Sequence, residues 1–311
     1  MRILIASKID RDAIDRLATR HEISCAFNAT HDELLERIQG QQVLIFRSGV
    51  TISSAVLQAA RSLELIIRAG SGLDNIDLHE LARRGIRLER IPRPSAQAVA
   101  ELTFAHMLCL ARNVRYADAL LRQGHWAKND LESYLISGKT LGVVGAGNIG
   151  RRVCEMGVAW GMRVVACVEH WTHEHASEFK DAGIELTRFE ELVPQADFLT
   201  IHVPLRPETR GLIGSDVLAR MKPGAFLVNV ARGGVVDERA LYGALTEGGR
   251  LRGAGLDTHE SEGPGVRSPL RDLPNVILTP HVGASTVDTQ REIGREIVAI
   301  LEAFEAGRSR A

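Results

Sequence analysis

The stretch Thr140-Leu-Gly-Val-Val-Gly145-Ala-Gly147-Asn-Ile-Gly150-Arg-Arg joins a short apolar run to a segment of helical character through the spacing G-x-G-x-x-G. Each glycine has its own role at such a junction. Gly145 turns the chain off the strand, Gly147 lets the backbone approach a phosphate, and Gly150 packs the helix closely on the sheet. The phosphate then lies at the positive end of the helix. The pattern therefore predicts a strand, a turn and a helix that bind a dinucleotide pyrophosphate.

The composition narrows the class of protein. The chain has 311 residues, which is enough for two domains with separate cores. It carries 38 Lys plus Arg and 39 Asp plus Glu, so no overall basic field attracts nucleic acid or a membrane surface. The apolar start from Met1 to Ser7 is too short for a signal peptide, and the cysteines show no C-x-x-C spacing. We expect a cytoplasmic protein whose partner is a small molecule.

Apolar runs alternate with helical patterns along the chain, which predicts the α/β class with two doubly wound parallel sheets. The first part has five predicted strands: Arg2 to Ala6, Glu22 to Phe27, Val43 to Phe46, Leu65 to Ala69 and Ile86 to Ile91. The second has six: Leu141 to Val144, Val164 to Val168, Phe198 to His202, Phe226 to Val230, Ala254 to Leu256 and Val276 to Leu278.

The predicted domain boundary lies at Pro92-Arg-Pro94-Ser95, because two prolines disfavour both helix and strand. One long helix is predicted next, from Ala96 to Leu121. A last helix, from Thr286 to Phe304, has no strand after it and is expected to return to the first domain. We therefore predict a flavodoxin-like substrate domain of residues 1–95 plus 287–311 and a Rossmann domain of residues 96–286, with an active-site cleft between them.

Three charged residues follow strands in the second part. Ligands of open parallel sheets bind beyond the carboxyl ends of the strands, which is where Arg232, Glu262 and His281 are expected. A guanidinium can bind a substrate carboxylate and polarise a carbonyl, and a histidine can exchange a proton. A carboxylate beside His281 would favour its charged form. Asp257, at another strand end, is a candidate for binding a nicotinamide amide.

Four motifs resemble those of the D-isomer specific 2-hydroxyacid dehydrogenase family, most of all its phosphoglycerate-specific members. Besides the glycine motif, they are Asn229-Val-Ala-Arg-Gly-Gly-Val-Val-Asp237, Ala254-Gly-Leu-Asp257 and Leu278-Thr-Pro-His-Val-Gly-Ala-Ser-Thr286, and Arg68-Ala-Gly-Ser-Gly-Leu-Asp-Asn-Ile-Asp77 extends the resemblance into the first part. The resemblance implies hydride transfer between a D-2-hydroxy acid and its 2-oxo acid, with NAD as the cofactor.

The resemblance also implies roles for individual residues. Arg232, Glu262 and His281 match the family's catalytic residues. The implied cofactor-binding residues are Gly145, Gly147, Asn148, Ile149, Gly150, Glu169, Val203, Pro204, Ala231, Asp257, His281 and Gly283. The loop Gly70-Ser71-Gly72 matches one that binds the substrate carboxylate, and Arg232 would bind the substrate as well.

The sequence departs from the family pattern at three places. Val168 occupies the position of the usual NAD-selective acid, and the nearest carboxylate is Glu169. Because Glu169-His170-Trp171 contains no arginine for a 2′-phosphate, we expect NAD rather than NADP. Ser95-Ala96 replaces the usual Asn-Ser before the long helix. Gly263 follows Glu262 where the family often has proline, which is expected to loosen that loop.

The substrate is expected to be a small anionic 2-oxo or 2-hydroxy acid. Arg47, Arg68 and Arg93 lie near strand ends and could bind a second anionic group, as in phosphoglycerate. The alternatives are a glyoxylate or hydroxypyruvate reductase, which needs no such site, and an NAD-sensing protein of the corepressor type.

Further expectations concern metals, chain length and assembly. The histidines His170, His173 and His175 have spacing that could bind a metal, but they fall in a polar loop where such residues are common, and no metal is expected. The chain ends soon after Phe304, which predicts no appended regulatory domain. The resemblance implies a homodimer formed through the helix that starts at Ala96.

Overall fold

The computed structural model describes residues 1–170, 172–246 and 249–308, without the side chains of residues 173–175. All strand pairings are parallel and form two sheets, in the orders β2-β1-β3-β4-β5 and β12-β11-β10-β9-β6-β7-β8. The strands are β1 (Arg2–Ile5), β2 (Glu22–Cys25), β3 (Val43–Phe46), β4 (Leu65–Arg68), β5 (Arg87–Arg90), β6 (Thr140–Val144), β7 (Arg163–Cys167), β8 (Ile184–Leu186), β9 (Phe198–Ile201), β10 (Ala225–Asn229), β11 (Leu251–Leu256) and β12 (Val276–Leu278). The predicted α/β class with two parallel sheets is confirmed.

The helices are α1 (Arg11–Ala18), α2 (His31–Arg37), α3 (Ser54–Ala59), α4 (Leu78–Arg83), α5 (Pro94–Ala111), α6 (Val114–Arg122), α7 (Asn148–Ala159), α8 (His173–Asp181), α9 (Phe189–Leu192), α10 (Ser215–Arg220), α11 (Glu238–Thr246) and α12 (Val287–Arg308). The prediction of one long helix from Ala96 to Leu121 is wrong. The chain breaks after α5 because Asn113 adopts a left-handed conformation, with φ 52°. Its side-chain amide donates to the Glu132 carbonyl at 2.6 Å, which stabilises this turn.

The start of α5 also differs from the sequence-based expectation. Pro94 is its first residue rather than part of a linker that excludes helix. Proline fits there because the first N–H of a helix has no partner within the helix and the ring already fixes a helical φ.

The chain divides into two compact units, residues 1–95 with 284–311 and residues 96–283. In the first unit, alternate residues of β1, β3 and β4 face opposite sides of the sheet. Ile3, Ile5 and Ile45 belong to a core with α1 and α12, whereas Leu4 and Leu44 belong to a second core with α2, α3 and α4. Burial on both faces accounts for the continuous apolar runs of these strands.

The described residues of the second unit form seven strands, so the prediction of six is wrong. The missed strand, β8, is only three residues long and lies at the sheet edge beside β7. Starting from β6, the strand order is that of a doubly wound dinucleotide-binding sheet, with one additional strand. Among the described residues, no helix is both long and apolar enough to cross a membrane.

The boundary between the units falls at Gly283, three residues before the predicted position. Residues 284–286 group with the helix that they introduce. The hydroxyl of Thr286 accepts a hydrogen bond from the N–H of Thr289 at 3.1 Å, and the side-chain amide of Gln290 donates to the Ala284 carbonyl at 2.8 Å. These local contacts tie the segment to α12. The roles of the two units as substrate and cofactor domains stay predictions.

Candidate active site

The glycine turn between β6 and α7 is built as its sequence suggests. Gly145 has a φ of 90°, and a Cβ there would lie 2.7 Å from Val203 and 3.0 Å from the His202 carbonyl oxygen. A Cβ on Gly150 would lie 2.0 Å from the Gly145 carbonyl oxygen. A side chain is therefore excluded at both positions by backbone or strand contacts.

Gly147 is open, in contrast to its two neighbours. It is exposed, a Cβ on it would have no atom within 4 Å, and as the N-cap of α7 it supplies no side-chain hydrogen bond to the helix. Its glycine identity is not required by packing, whereas close approach of a ligand to the backbone would require it. The first N–H groups of a helix bind anions, so the turn fits the phosphates of a dinucleotide.

Near this turn, the structure brings together two residues that no pattern in the sequence pairs, Arg206 and Glu169. The guanidinium of Arg206 lies 3.3 Å from the carboxylate of Glu169, which is 67% exposed. An arginine therefore stands beside the residue from which we predicted a preference for NAD, although none is near in the sequence. Pro204, one of the implied cofactor-binding residues, is exposed, and its carbonyl accepts a hydrogen bond from the Thr209 hydroxyl at 2.6 Å.

His202 is a half-buried histidine whose ring nitrogens are buried, and no role was predicted for it from the sequence. It follows β9 and its carbonyl borders Gly145. Burial lowers the pKa of His202 to about 3, so its ring is neutral at physiological pH.

The carboxyl ends of β10, β11 and β12 are adjacent and in register in the seven-stranded sheet. Arg232, Asp257 and His281 follow these three strands. The turn after Arg232 packs directly on the next loop, because a Cβ on Gly233 would lie 1.7 Å from the His259 carbonyl oxygen. The predicted residues are thus carried by neighbouring loops at one edge of one sheet.

His281 and Glu262 form a close pair. Nδ1 of His281 lies 2.9 Å and 3.2 Å from the two carboxylate oxygens of Glu262. Because an ionised carboxylate only accepts hydrogen bonds, Nδ1 carries the proton, and Nε2 is the ring nitrogen available to a substrate. The His281 side chain is 28% exposed, so a ligand can reach it.

Glu262 is kept ionised by its surroundings. Partial burial raises the pKa of Glu262, but the hydrogen bond and positive charge of His281 and the backbone N–H of His259 outweigh it, so this pKa is lowered. That N–H donates to Glu262 at 3.1 Å. The arrangement stabilises a negative charge beside the ring of His281, as an acid or base that shuttles one proton requires.

Asp257 is 1% exposed and holds the loop that carries His281. One carboxylate oxygen accepts hydrogen bonds from the Thr279 hydroxyl at 2.6 Å and the Val282 N–H at 2.9 Å, and the other accepts from the Gly283 N–H at 2.8 Å. The structure thus gives Asp257 an anchoring role, besides the contact with nicotinamide that the family resemblance implies.

Arg232 is half-buried beside the end of β10. Its guanidinium donates to the Ala231 carbonyl at 2.7 Å, and its own carbonyl accepts from the side chain of Asn229 at 3.0 Å. Asn229 Oδ1 also accepts from the Ala231 N–H at 3.1 Å. The asparagine therefore fixes the turn from which Arg232 projects.

The predicted substrate-binding residues of the first unit lie at the carboxyl ends of its strands. Arg68 is 4% exposed and its guanidinium lies 5.7 Å from the ring of Phe46. It also packs under the glycine loop, since a Cβ on Gly70 would lie 2.5 Å from its Nη1. Arg68 thus supports the loop that contains Ser71 and Gly72.

Arg47 and Arg93 differ in their surroundings. Arg47 is half-buried, its guanidinium donates to the Ser285 hydroxyl at 3.2 Å, and burial lowers its pKa. Arg93 is exposed. Burial and the charge of Glu292 raise the pKa of Glu296, and the charge of Arg93 opposes this in part. The roles of Arg47, Arg68 and Arg93 in substrate binding stay predictions.

Two histidines of the cluster considered for a metal, His173 and His175, have side chains that lie outside the described residues. His170 is exposed, with Nε2 3.9 Å from Glu169. The described part of the chain contains no group of three or more potential metal ligands.

These features define a Rossmann-type dinucleotide-binding protein with a histidine and carboxylate pair at the ligand edge of its sheet. Residues 104–283 match the family described as D-isomer specific 2-hydroxyacid dehydrogenase, NAD binding domain. The chain is 42% identical over 295 residues to D-3-phosphoglycerate dehydrogenase of Methanocaldococcus jannaschii, covering 94% of this chain and 55% of that protein. It is 37% identical over 300 residues to hydroxypyruvate reductase of Thermotoga maritima, covering 96% of each.

Among solved structures, D-lactate dehydrogenase from Aquifex aeolicus complexed with NAD and lactic acid is 26% identical, with a TM-score of 0.87 over 99% of this chain and 96% of that chain. The chain therefore belongs to the D-isomer specific 2-hydroxyacid dehydrogenase family. The predicted family and its NAD cofactor are confirmed. The chain spans about half the length of the phosphoglycerate dehydrogenase and nearly all of the hydroxypyruvate reductase.

Proposed function

We propose that the chain is an NAD-dependent dehydrogenase that interconverts a small D-2-hydroxy acid and its 2-oxo acid. The observation that carries this proposal is the 2.9 Å contact between His281 and Glu262 at the ligand edge of the sheet that also bears the glycine turn. Acid-base chemistry and dinucleotide binding on one sheet edge are what hydride transfer to a carbonyl requires.

In the reducing direction, NADH when bound supplies the hydride for the substrate carbon. His281 donates the proton of Nε2 to the carbonyl oxygen, and Glu262 stabilises the positive ring that precedes this step. Arg232 binds the substrate carboxylate and polarises the carbonyl. In the oxidising direction, neutral His281 accepts the hydroxyl proton.

The proposed substrate carries a second anionic group, such as a phosphate. Arg47 and Arg93 support this choice, because a half-buried guanidinium held by Ser285 and an exposed one suit a dianion. A glyoxylate or hydroxypyruvate reductase is the alternative, and the hydroxypyruvate reductase from Thermotoga maritima is a relative of nearly the same length.

A substrate panel tests the function. Purified protein is mixed with NADH or NADPH and with hydroxypyruvate, hydroxypyruvate phosphate, glyoxylate, phosphonopyruvate or larger 2-oxo acids, and oxidation is followed at the nicotinamide absorbance. We expect NADH oxidation with the phosphorylated acid, and a higher KM for it in Arg47→Gln with little change for glyoxylate. Protein that binds NADH but oxidises it with none of these acids would instead be a nucleotide sensor.

The preference for NAD is expected to depend on Glu169. In Glu169→Ala, the repulsion of a 2′-phosphate disappears and Arg206, now 3.3 Å from Glu169, becomes available to bind it. We expect kcat/KM for NADPH relative to NADH to rise about tenfold or more, since hydrogen bonds to charged groups contribute roughly 1.5–3 kcal/mol. Steady-state kinetics with both cofactors measure this ratio.

Two controls accompany this measurement. Glu185→Ala removes the carboxylate of another exposed pair, 2.7 Å from Arg163, and should leave the ratio unchanged. Adding Arg206→Ala to Glu169→Ala should abolish the gain for NADPH. If the gain persists in the double variant, Arg206 does not bind the phosphate.

We also propose a cytoplasmic homodimer. Helix α6 has no buried residue, and large apolar side chains are exposed on it and just beyond it, namely Val114, Tyr116, Leu121, Trp126 and Leu135. Such a surface is typical of an interface between copies of one chain. Sedimentation that reports a monomer at micromolar concentration would reject the dimer. The free thiols of Cys154 and Cys167 support the cytoplasmic location, because cysteines stay reduced in that compartment.

A further inference from the structure

Thr279 lies between β12 and His281, and three side chains hold its polar atoms. Its hydroxyl donates to Asp257 at 2.6 Å and lies 3.2 Å from Nε2 of His106. Its carbonyl oxygen lies 2.9 Å from Nε2 of His259. Neither histidine belongs to the motifs on which the proposed function rests.

The hydrogen-bond directions follow from the number of protons. The Thr279 hydroxyl has one proton, which it gives to the Asp257 carboxylate, so Nε2–H of His106 must donate to the hydroxyl oxygen. A carbonyl only accepts, so Nε2–H of His259 donates to Thr279 as well. Burial lowers the pKa of His106, and the charge of Asp257 and the backbone of Gly255 oppose this only in part, which favours the neutral ring.

The ring of His106 packs closely against strand β11. It is 2% exposed on α5, and a Cβ on Gly255 of β11 would lie 2.8 Å from its Nδ1. Position 255 of β11 must therefore be glycine to leave room for the His106 ring. An apolar side chain would fill such a position at lower desolvation cost, so the imidazole is explained by the hydrogen bond that it donates to Thr279.

The same atoms determine the backbone of His281. His281 has a φ of 54°, a left-handed conformation that is strained for a residue other than glycine. Its N–H is 2.7 Å from the Asp257 carbonyl oxygen and 3.1 Å from the Thr279 carbonyl oxygen. The Thr279 carbonyl thus accepts hydrogen bonds from the ring of His259 and from the N–H of His281. The backbone of His281 is therefore tied directly to Thr279.

We propose that His106 and His259 are positioning residues that act through Thr279 and Asp257 to hold His281 in its left-handed conformation, with Nδ1 directed at Glu262. The inference rests on the proposed role of His281 as the acid and base. His259 acts on both members of the His281 and Glu262 pair. Its ring holds Thr279 beside His281, and its backbone N–H donates to Glu262 at 3.1 Å. The two loops that carry the pair are therefore joined by one imidazole.

Three substitutions test this inference. Thr279→Val keeps the shape and removes the hydroxyl, His106→Leu removes the donor, and His259→Phe keeps a ring without nitrogen. Each is expected to lower kcat by about 10- to 100-fold, because small displacements of a catalytic group have effects of this size. The NADH dissociation constant should stay unchanged, and the pH profile of kcat should shift because contact with Glu262 is loosened.

Two further measurements separate positioning from a general loss of stability. His106→Gln retains an N–H donor and should recover most of kcat. In the Thr279→Val background, His106→Leu should cause little additional loss, since the hydrogen bond between them is already absent. Thermal melting identifies a variant that fails to fold, and Thr279→Val and His106→Gln then provide the test.

The inference is overturned if Thr279→Val folds, binds NADH and keeps both the kcat and the pH profile of the parent protein, or if the effects of His106→Leu and Thr279→Val simply multiply. These outcomes differ from a failure of the proposed function. In that case His281→Ala itself would retain full activity.

Discussion

His281→Ala is expected to lower kcat by about 10²- to 10⁴-fold, the usual contribution of general acid-base catalysis. Nε2 of His281 is the atom that donates or accepts the transferred proton in the proposed reaction. Alanine has no group that can do either. NADH binding, followed by its fluorescence, should be largely unchanged because the pyrophosphate is expected to bind at the glycine turn rather than at this ring. Stopped-flow reduction of the active 2-oxo acid measures the loss.

Matched variants test whether the loss of kcat arises from the pair of His281 and Glu262. His79→Ala removes an exposed histidine of α4 and should retain full activity. Glu262→Gln removes the charge but keeps a hydrogen-bond acceptor, so a smaller loss is expected, together with a changed pH profile. In the His281→Ala background, Glu262→Gln should have almost no further effect on kcat. Independent losses in the double variant would show that Glu262 acts by another route.

Gly150→Ala is expected to abolish dinucleotide binding and to lower the free energy of unfolding by about 1–3 kcal/mol, as overpacking does. The new Cβ would lie 2.0 Å from the Gly145 carbonyl oxygen, so either the turn or α7 must move. Thermal melting and NADH titration measure the two effects.

Gly147→Ala is the matched control, with a distinct expected result. Because a Cβ at Gly147 meets nothing within 4 Å and φ is −72°, the melting temperature should be unchanged. Affinity for NADH should nevertheless fall, since the methyl group occupies the space through which a phosphate approaches the backbone. Normal NADH affinity in Gly147→Ala would place the pyrophosphate elsewhere.

Local patterns were sufficient for much of the architecture. The apolar runs of β1, β3 and β4 predict buried parallel strands, because such strands are covered on both faces. The patterns failed where local rules compete. Helical periodicity continues across Asn113, although the chain turns there, and β8 is too short for its three residues to show a period. The prolines around the start of α5 suggested a linker, because proline both ends helices and starts them.

The candidate site shows the same division. The order of strands along the chain was enough to predict that Arg232, Asp257 and His281 follow neighbouring strands. It did not reveal that Arg206 lies beside Glu169, 37 residues away in sequence. A histidine on a helix with apolar neighbours, such as His106, is usually a core residue, and no spacing rule distinguishes it from one that supports a loop.

The amino-acid sequence by itself determined the parallel sheets, the glycine turn and the family to which the chain belongs, because these depend on neighbouring residues and on fixed spacings. Only the tertiary structure decided that His106 donates to Thr279, 173 residues away, and that Asp257 anchors the loop of His281. Hydrogen bonds of this kind act over about 3 Å, so they depend on how distant segments pack and leave no period in the sequence.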